Sequence, residues 1–339
     1  VWASGLADIH SVAEAENVST ARIRLRDGQE MPALGLGTWK APPNVVGDAV
    51  FAALSAGYRH IDAAHIYLNS VEVGAGLQRA VDAGLVTRSE VWVTSKLWMT
   101  DFAPSRVGPA VDTLLRDLGL DYLDQVLLHW PVALKAPPAE CPPTCPEEFA
   151  GTDNVLRPRG ADGHMVQSLT PIVETWRSLQ VAAAGGRIRS LGVSNFSPEE
   201  LEPLLAEKVP PAVNQVECHP NWNQKELREW MASRNVVLVS YSPLGNPAIY
   251  ETTALRAPEV IRVAAAVGRT PAQVLLRWSH QLGNVVIPKS ASVHRISENA
   301  DIFSFSLDEG QMLTLSSMEQ RRLANPPIRA GGRRAFDEL

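Results

Sequence analysis

With 339 residues, 45% hydrophobic and 20% charged, the chain has the composition of a folded protein that buries a sizeable core, and its length suits one large domain. A formal net charge of -6 argues against nucleic acid or an anionic membrane as the main partner, since this field attracts neither. No run of about 18 apolar residues is present, so no membrane-spanning helix is expected, and three cysteines, Cys141, Cys145 and Cys218, are too few for a disulfide framework or a four-ligand zinc site, so no metal is expected.

Residues 1–20 are small and polar without a period and read as an extension ahead of a domain over 21–339. The first residue is Val1 rather than Met, which leaves a processed or a trimmed start open. Arg22-Ile23-Arg24-Leu25 alternates charged and apolar side chains, and Asp27-Gly28 supplies a turn, so a short hairpin opens the domain. Short apolar runs then alternate with longer amphipathic stretches. Strands are predicted over 34–37, 59–62, 91–96, 125–129, 189–194, 213–217, 236–241 and 285–289. Between them lie helical patterns such as Val107–Leu118, whose Val107, Val111, Leu114, Leu115 and Leu118 share a face. Such alternation implies parallel strands joined by crossover helices. Two segments stand apart. One runs from about 132 to 168, contains Pro137-Pro138 and Pro142-Pro143, and reads as a long irregular loop over the functional face. The other is the tail from Ala324, rich in Pro, Gly and Arg, expected to wrap the outside or the rim.

A closed barrel and an open doubly wound sheet both satisfy the alternation, and the strand ends separate them. Nearly every apolar run finishes in a polar residue: Asp62, Lys96, His129, Asn195, Gln215, Tyr241 and Lys289. In an eight-stranded β/α barrel these ends converge on one face, where the active site forms, whereas an open sheet gathers only two or three. The first strand is followed by Thr38-Trp39-Lys40 instead of a Gly-x-Gly-x-x-Gly turn, which counts against a Rossmann domain.

Asp62, Tyr67, Lys96 and His129 carry chemistry when taken together. A tyrosine holds its proton until about pH 10. A cation such as Lys96 within a few ångströms stabilises the phenolate, so the phenol is expected to become a better acid. Asp62 holds that ammonium in place, and His129 donates a hydrogen bond to a carbonyl oxygen. The set then describes an acid that protonates an alkoxide as it forms. Read singly, the Asp is a cap, the Tyr is packing and the His is a core residue; their joint placement near successive strand ends is what favours catalysis.

The stretches Gly35-Leu36-Gly37-Thr38-Trp39, Gly57-Tyr58-Arg59-His60-Ile61-Asp62-Ala63-Ala64 with Tyr67, Ser95-Lys96-Leu97-Trp98, Leu128-His129-Trp130-Pro131, Gly192-Val193-Ser194-Asn195-Phe196, Asn214-Gln215-Val216-Glu217-Cys218-His219-Pro220, Tyr241-Ser242-Pro243-Leu244-Gly245 and Ile287-Pro288-Lys289-Ser290 resemble the aldo-keto reductases. They follow the family's order across nearly the whole chain from Ala21. The resemblance implies a (β/α)8 barrel that reduces aldehydes and ketones to alcohols with NADPH, with Asp62, Tyr67, Lys96 and His129 as catalytic tetrad and Tyr67 as general acid. It also implies that Ser194, Asn195 and Gln215 hold the nicotinamide carboxamide, that Tyr241 stacks on the ring, and that Thr38, Trp39, Asp62, Ser242, Leu244 and Gly245 line the same dinucleotide. Lys289, Ser290 and Arg295 match residues around the adenosine 2'-phosphate, and Glu298 and Asn299 match residues near the adenine. Two cations beside a phosphate favour NADPH over NADH. Trp39, Trp98 and Trp130, beside Tyr67 and His129, are expected to line an apolar substrate pocket.

The chain departs from the family pattern in a longer Pro-rich loop around Cys141 and Cys145, a shorter segment after Gly245, Ala291 in the phosphate loop, and Ser70 where Glu is common after Asn69. A monomer acting on a small aldehyde or ketone in the cytoplasm is expected. The alternative location is the ER lumen or another organelle, on the strength of the tail Phe336-Asp337-Glu338-Leu339 and the sequon Asn17-Val18-Ser19. The alternative function is a non-catalytic NADPH-binding or structural subunit of a larger assembly, which has no need of Lys96 and Tyr67 at the strand ends.

Overall fold

The computed structural model describes residues 17–137, 155–161, 164–245 and 254–322. Most of the N-terminal extension, Cys141 and Cys145 with the middle of the long loop, the segment after Gly245, and the tail with its terminal tetrapeptide lie outside the described residues.

Two antiparallel strands, β1 (Arg22–Arg24) and β2 (Glu30–Pro32), form the hairpin read from the sequence. Gly28 turns it with φ +86, a conformation that favours glycine. Eight parallel strands follow: β3 (Leu36–Gly37), β4 (His60–Asp62), β5 (Trp92–Leu97), β6 (Leu123–Leu128), β7 (Ile188–Ser194), β8 (Val213–Glu217), β9 (Val237–Tyr241) and β10 (Val285–Val286). Each pairs with its sequence neighbour. The ends of the series meet through bridges Leu34 to Val286 and Gly37 to Lys289, with Gly35 N donating to Val286 O (2.9 Å), Gly37 N to Pro288 O (3.0 Å) and Val286 N to Ala33 O (2.9 Å), so the sheet closes on itself. Every predicted strand is present within a few residues. The last is shorter than expected because Pro288 has no N–H for a regular ladder.

Helices cross between the strands, among them α1 (Val46–Ser55), α2 (Ser70–Asp82) and α3 (Pro104–Leu118). Among the described residues four helices begin on proline, at Pro104, Pro198, Pro258 and Pro271, where the missing N–H costs no intrahelical bond. The helical stripe read at Val107–Leu118 is the buried face of α3. Helices α1, α2 and α3 pack at backbone distance: a methyl group on Gly76 would overlap the Gly47 carbonyl oxygen, and one on Gly74 would overlap that of Leu118.

The main apolar core lies between strands and helices. A second cluster fills the lower barrel, where Leu25 and Met31 of the hairpin meet Trp92, Leu127, Val213, Val239, Val285 and Ile287, so the hairpin plugs the bottom. Above it the interior turns polar: His60, Asp62, Thr94, Lys96, Gln125, Ser190, Ser194 and Gln215 are all buried. The long loop is less irregular than its sequence suggests, since its flanks pair as Leu134 with Gln167 and Arg159 with Met165. Among the described residues no helix is long and apolar enough to cross a membrane, and no group of His, Cys, Asp and Glu is placed to hold a metal ion.

Candidate active site

At the top of β4 and β5 the side chains of Asp62 and Lys96 share the barrel interior. Lys96, with no exposed surface, donates to Asp62 Oδ2 (2.6 Å), Ala63 O (2.9 Å) and Tyr67 Oη (3.3 Å). A buried ammonium with three acceptors is satisfied, and removing any one leaves charge or donor stranded. Tyr67 arrives on a short 3-10 turn, His65–Tyr67, that Leu68 ends in the left-handed region (φ +56). His129, just past β6, presents its ring edge-on to Tyr67 (centroids 5.9 Å apart) and to Trp98 (5.3 Å). The four residues read as a unit from the sequence are therefore one cluster.

Burial governs their protonation. It pushes the Tyr67 phenol well above its usual value, helped by the negative charge of Asp62 and by Tyr241. This reverses the expected direction: Lys96 is paired to Asp62, so the phenol faces a nearly neutral ion pair in a site that disfavours a phenolate. Burial also lowers Lys96, with Asp62 opposing, and drives His129 well below an ordinary imidazole, with Lys96 adding to the effect. At neutral pH Tyr67 keeps its proton and His129 is uncharged.

The residues matched to cofactor contacts form one hydrogen-bonded chain with this cluster. Tyr241 Oη donates to Asn195 Oδ1 (2.8 Å), and Asn195 Nδ2 donates to Ser194 Oγ (3.1 Å) and His129 O (3.0 Å). Ser194 Oγ donates to Gln215 O (2.8 Å), and Gln215 Nε2 to Asp62 Oδ1 (2.7 Å). Asn195 and Ser242 hold φ of +67 and +48, strained values for non-glycine residues, just past the ends of β7 and β9. Gly245 N bonds Ser242 O (2.9 Å), closing the turn after β9, and Leu244 packs against the core.

Lys289 and Arg295 are both exposed, and Lys289 is lowered by burial of part of its chain and by Arg295. Ser290 Oγ accepts from Ser292 N (3.2 Å), and Ser292 caps the helix Val293–Ala300, which carries Arg295, Glu298 and Asn299. Glu298 accepts from Thr270 Oγ1 (2.7 Å), and Asn299 is buried.

The tryptophans divide. Trp98 is 1% exposed, with its indole N–H on Leu156 O (2.5 Å), so it anchors the long loop as well as touching His129. Trp130 is also buried, and Trp39 is half-buried with the Lys40 ammonium 4.5 Å over its ring. Sequence reasoning missed Asn69. It looks like a helix cap, yet its Nδ2 reaches Thr38 O (2.9 Å), and Thr38 Oγ1 donates to Asp62 O (2.8 Å), tying the Trp39 loop to the Tyr67 turn. Its position between a candidate acid and a helix was the available signal. Cys218 is fully buried and its thiol is pushed up to about 12, which makes it inert as a nucleophile.

This barrel with a buried Lys-Asp pair and a phenol at its upper mouth defines a class that the comparisons make specific. A sequence model described as the aldo/keto reductase family matches residues 33–320. The chain is 40% identical over 303 residues to aldo-keto reductase family 4 member C11 of Arabidopsis thaliana, covering 88% of this chain and 90% of the relative. It is also 40% identical to aldo-keto reductase family 1 member A1 of Rattus norvegicus, covering 94% and 95%. The solved aldose reductase of Schistosoma japonicum superposes with a TM-score of 0.80 at 35% identity over 89% of this chain and 93% of that one. The chain belongs to the aldo/keto reductase family, whose members are NADP-dependent oxidoreductases acting on carbonyl groups.

Proposed function

We propose that the chain reduces aldehydes and ketones with NADPH, and that Tyr67 is the acid that protonates the carbonyl oxygen. The observation that carries this reading is the buried Lys96 ammonium, bonded at once to Asp62, Ala63 O and Tyr67. A buried cation aimed at a phenol is costly in a merely structural barrel and useful where negative charge develops on an oxygen held by that phenol.

Residues that fit the dinucleotide are present. Ser194, Asn195 and Gln215 offer amide and hydroxyl groups beside the Tyr241 ring, and Lys289 with Arg295 offers two neighbouring cations whose mutual repulsion a phosphate relieves. When bound, NADPH supplies the hydride that adds to the carbonyl carbon. The protein supplies the rest. Tyr67 Oη and His129 hold the carbonyl oxygen, and the neutral imidazole donates a hydrogen bond without itself delivering a proton. Tyr67 gives up its proton as the alkoxide forms, and Lys96, fixed by Asp62, stabilises the phenolate left behind. Gln215 and Asn195 lock Asp62 and the His129 backbone, so whatever they hold is positioned against the same cluster.

The test is loss of NADPH absorbance at 340 nm with aromatic aldehydes, short aliphatic aldehydes and aldoses, repeated with NADH. Turnover with a clear NADPH preference is expected. Tight NADPH binding with no turnover on any carbonyl compound would sink the proposal.

A further inference from the structure

The lower end of the barrel holds a second concave site, on the face opposite Tyr67. A cavity of about 340 Å³ opens between the hairpin and the starts of β4 to β7, lined among others by Ser19, Arg22, Gln29, Arg59, Ser89 and Arg189. Its charged groups are unequally served. Asp124 receives Arg88 Nη2 (2.8 Å), Arg189 Nη1 (3.1 Å) and Val93 N (2.9 Å), and the two arginines sandwich the Tyr122 ring at 4.0 and 3.9 Å. Glu90 receives Thr87 N (2.7 Å) and Thr87 Oγ1 (2.8 Å). Glu30 is exposed and sits opposite Arg24 in the hairpin register.

Arg22 and Arg59 lack such bonds: Glu30 and Glu90, which also line the cavity, act on Arg22 and Arg59 through space without pairing with them. Arg22 Nη1 meets only Ala21 O (3.2 Å), Arg59 Nη1 meets Leu54 O (3.3 Å) and Tyr58 O (2.8 Å), and among the described residues no carboxylate forms an ion pair with either. The two guanidiniums repel: burial, then Arg59, lowers the pKa of Arg22, and Glu30 only partly offsets this.

We propose that this cavity binds a phosphate group, bridging Arg22 and Arg59. Two forked cations match the several oxygens and double charge of a phosphate better than a carboxylate, which one arginine saturates. Ser19, Gln29 and Ser89 add neutral polar groups around it. The volume exceeds the need of the inorganic ion and leaves room for a small organic tail. This site is separate from Lys289 and Arg295, which lie at the other end of the strands.

Isothermal titration calorimetry on NADPH-saturated protein, with Lys289 and Arg295 engaged, tests this at constant ionic strength with inorganic phosphate, glycerol 3-phosphate and acetate. Saturable binding of both phosphates is expected, at least tenfold tighter than acetate. Tighter binding of glycerol 3-phosphate assigns the site to a phosphate monoester, and equal binding assigns it to the free ion. Arg22→Gln should weaken both phosphates at least tenfold while kcat stays unchanged, and Arg22→Gln with Arg59→Gln should abolish binding. The single variant stands alone if the double one does not fold, because Arg22 makes one peripheral bond. Heats that do not saturate, or binding unchanged in Arg22→Gln but lost in Lys289→Ala, would overturn the proposal.

Discussion

Burial moves Tyr67 and His129 in opposite directions and leaves both uncharged, which is why one protein environment suits a proton donor and a neutral hydrogen-bond donor side by side. Tyr67→Phe should lower kcat about 10²- to 10⁴-fold, the usual worth of a general acid, while the NADPH dissociation constant from fluorescence titration stays within about twofold; parallel loss of both would mean that Tyr67 serves binding. His60 sits one layer below, its ring on Thr94 Oγ1 (3.2 Å), and burial with Lys96 drives it to about 3. Its folded pKa lies below the unfolded value, so its contribution to stability is complete above about pH 6.5 and is lost as pH falls from there toward 3, by roughly tenfold in the folding equilibrium per pH unit. His129 acts in the same direction. Urea midpoints should fall between pH 7 and 5, and His60→Gln should make that slope shallower; an unchanged slope would show that His60 is not held neutral. The identity of these residues was legible from the sequence, but the direction of the Tyr67 shift was not, because the sequence showed Lys96 near the phenol without showing how completely the phenol is buried beside the Asp62 charge.

The strands were legible because short buried apolar runs ending in polar residues are hard to mistake when eight recur in series. The helix contacts were not. Nothing in Ser70–Asp82 announces that Gly74 and Gly76 bring α2 against the backbones of α3 and α1, because a glycine in a helix reads only as a weak helix former. Gly76→Ala should therefore destabilise the protein by about 1–3 kcal/mol through overpacking, although alanine has the higher helix propensity. Thermal unfolding decides: a raised Tm would mean that propensity outweighs the contact. Asn69 carries a similar lesson. Its local context spells a cap, but its bond to Thr38 O spans 31 residues, and long-range partners leave no trace in a local pattern.

At the scale of the whole barrel, support and chemistry occupy opposite ends. Met31, fully buried in the lower plug, should cost about 2–5 kcal/mol on mutation to Ala, with kcat unchanged at temperatures where the variant stays folded; a large drop in kcat would show that the plug shapes the upper mouth. The closed barrel, as against an open sheet, was inferred from the number of polar strand ends, and the meeting of the first and last strands supports it with very few bonds. That join rests on isolated bridges instead of a regular ladder, and Lys289 stands on it, bridged to Gly37. A dinucleotide held by Lys289 would act as a clasp across the two ends of the chain's circuit. The amide protons of Gly35 and Gly37 should then exchange with deuterium sooner than those of β6 and β7 in the free protein, and slow the most when NADPH is added.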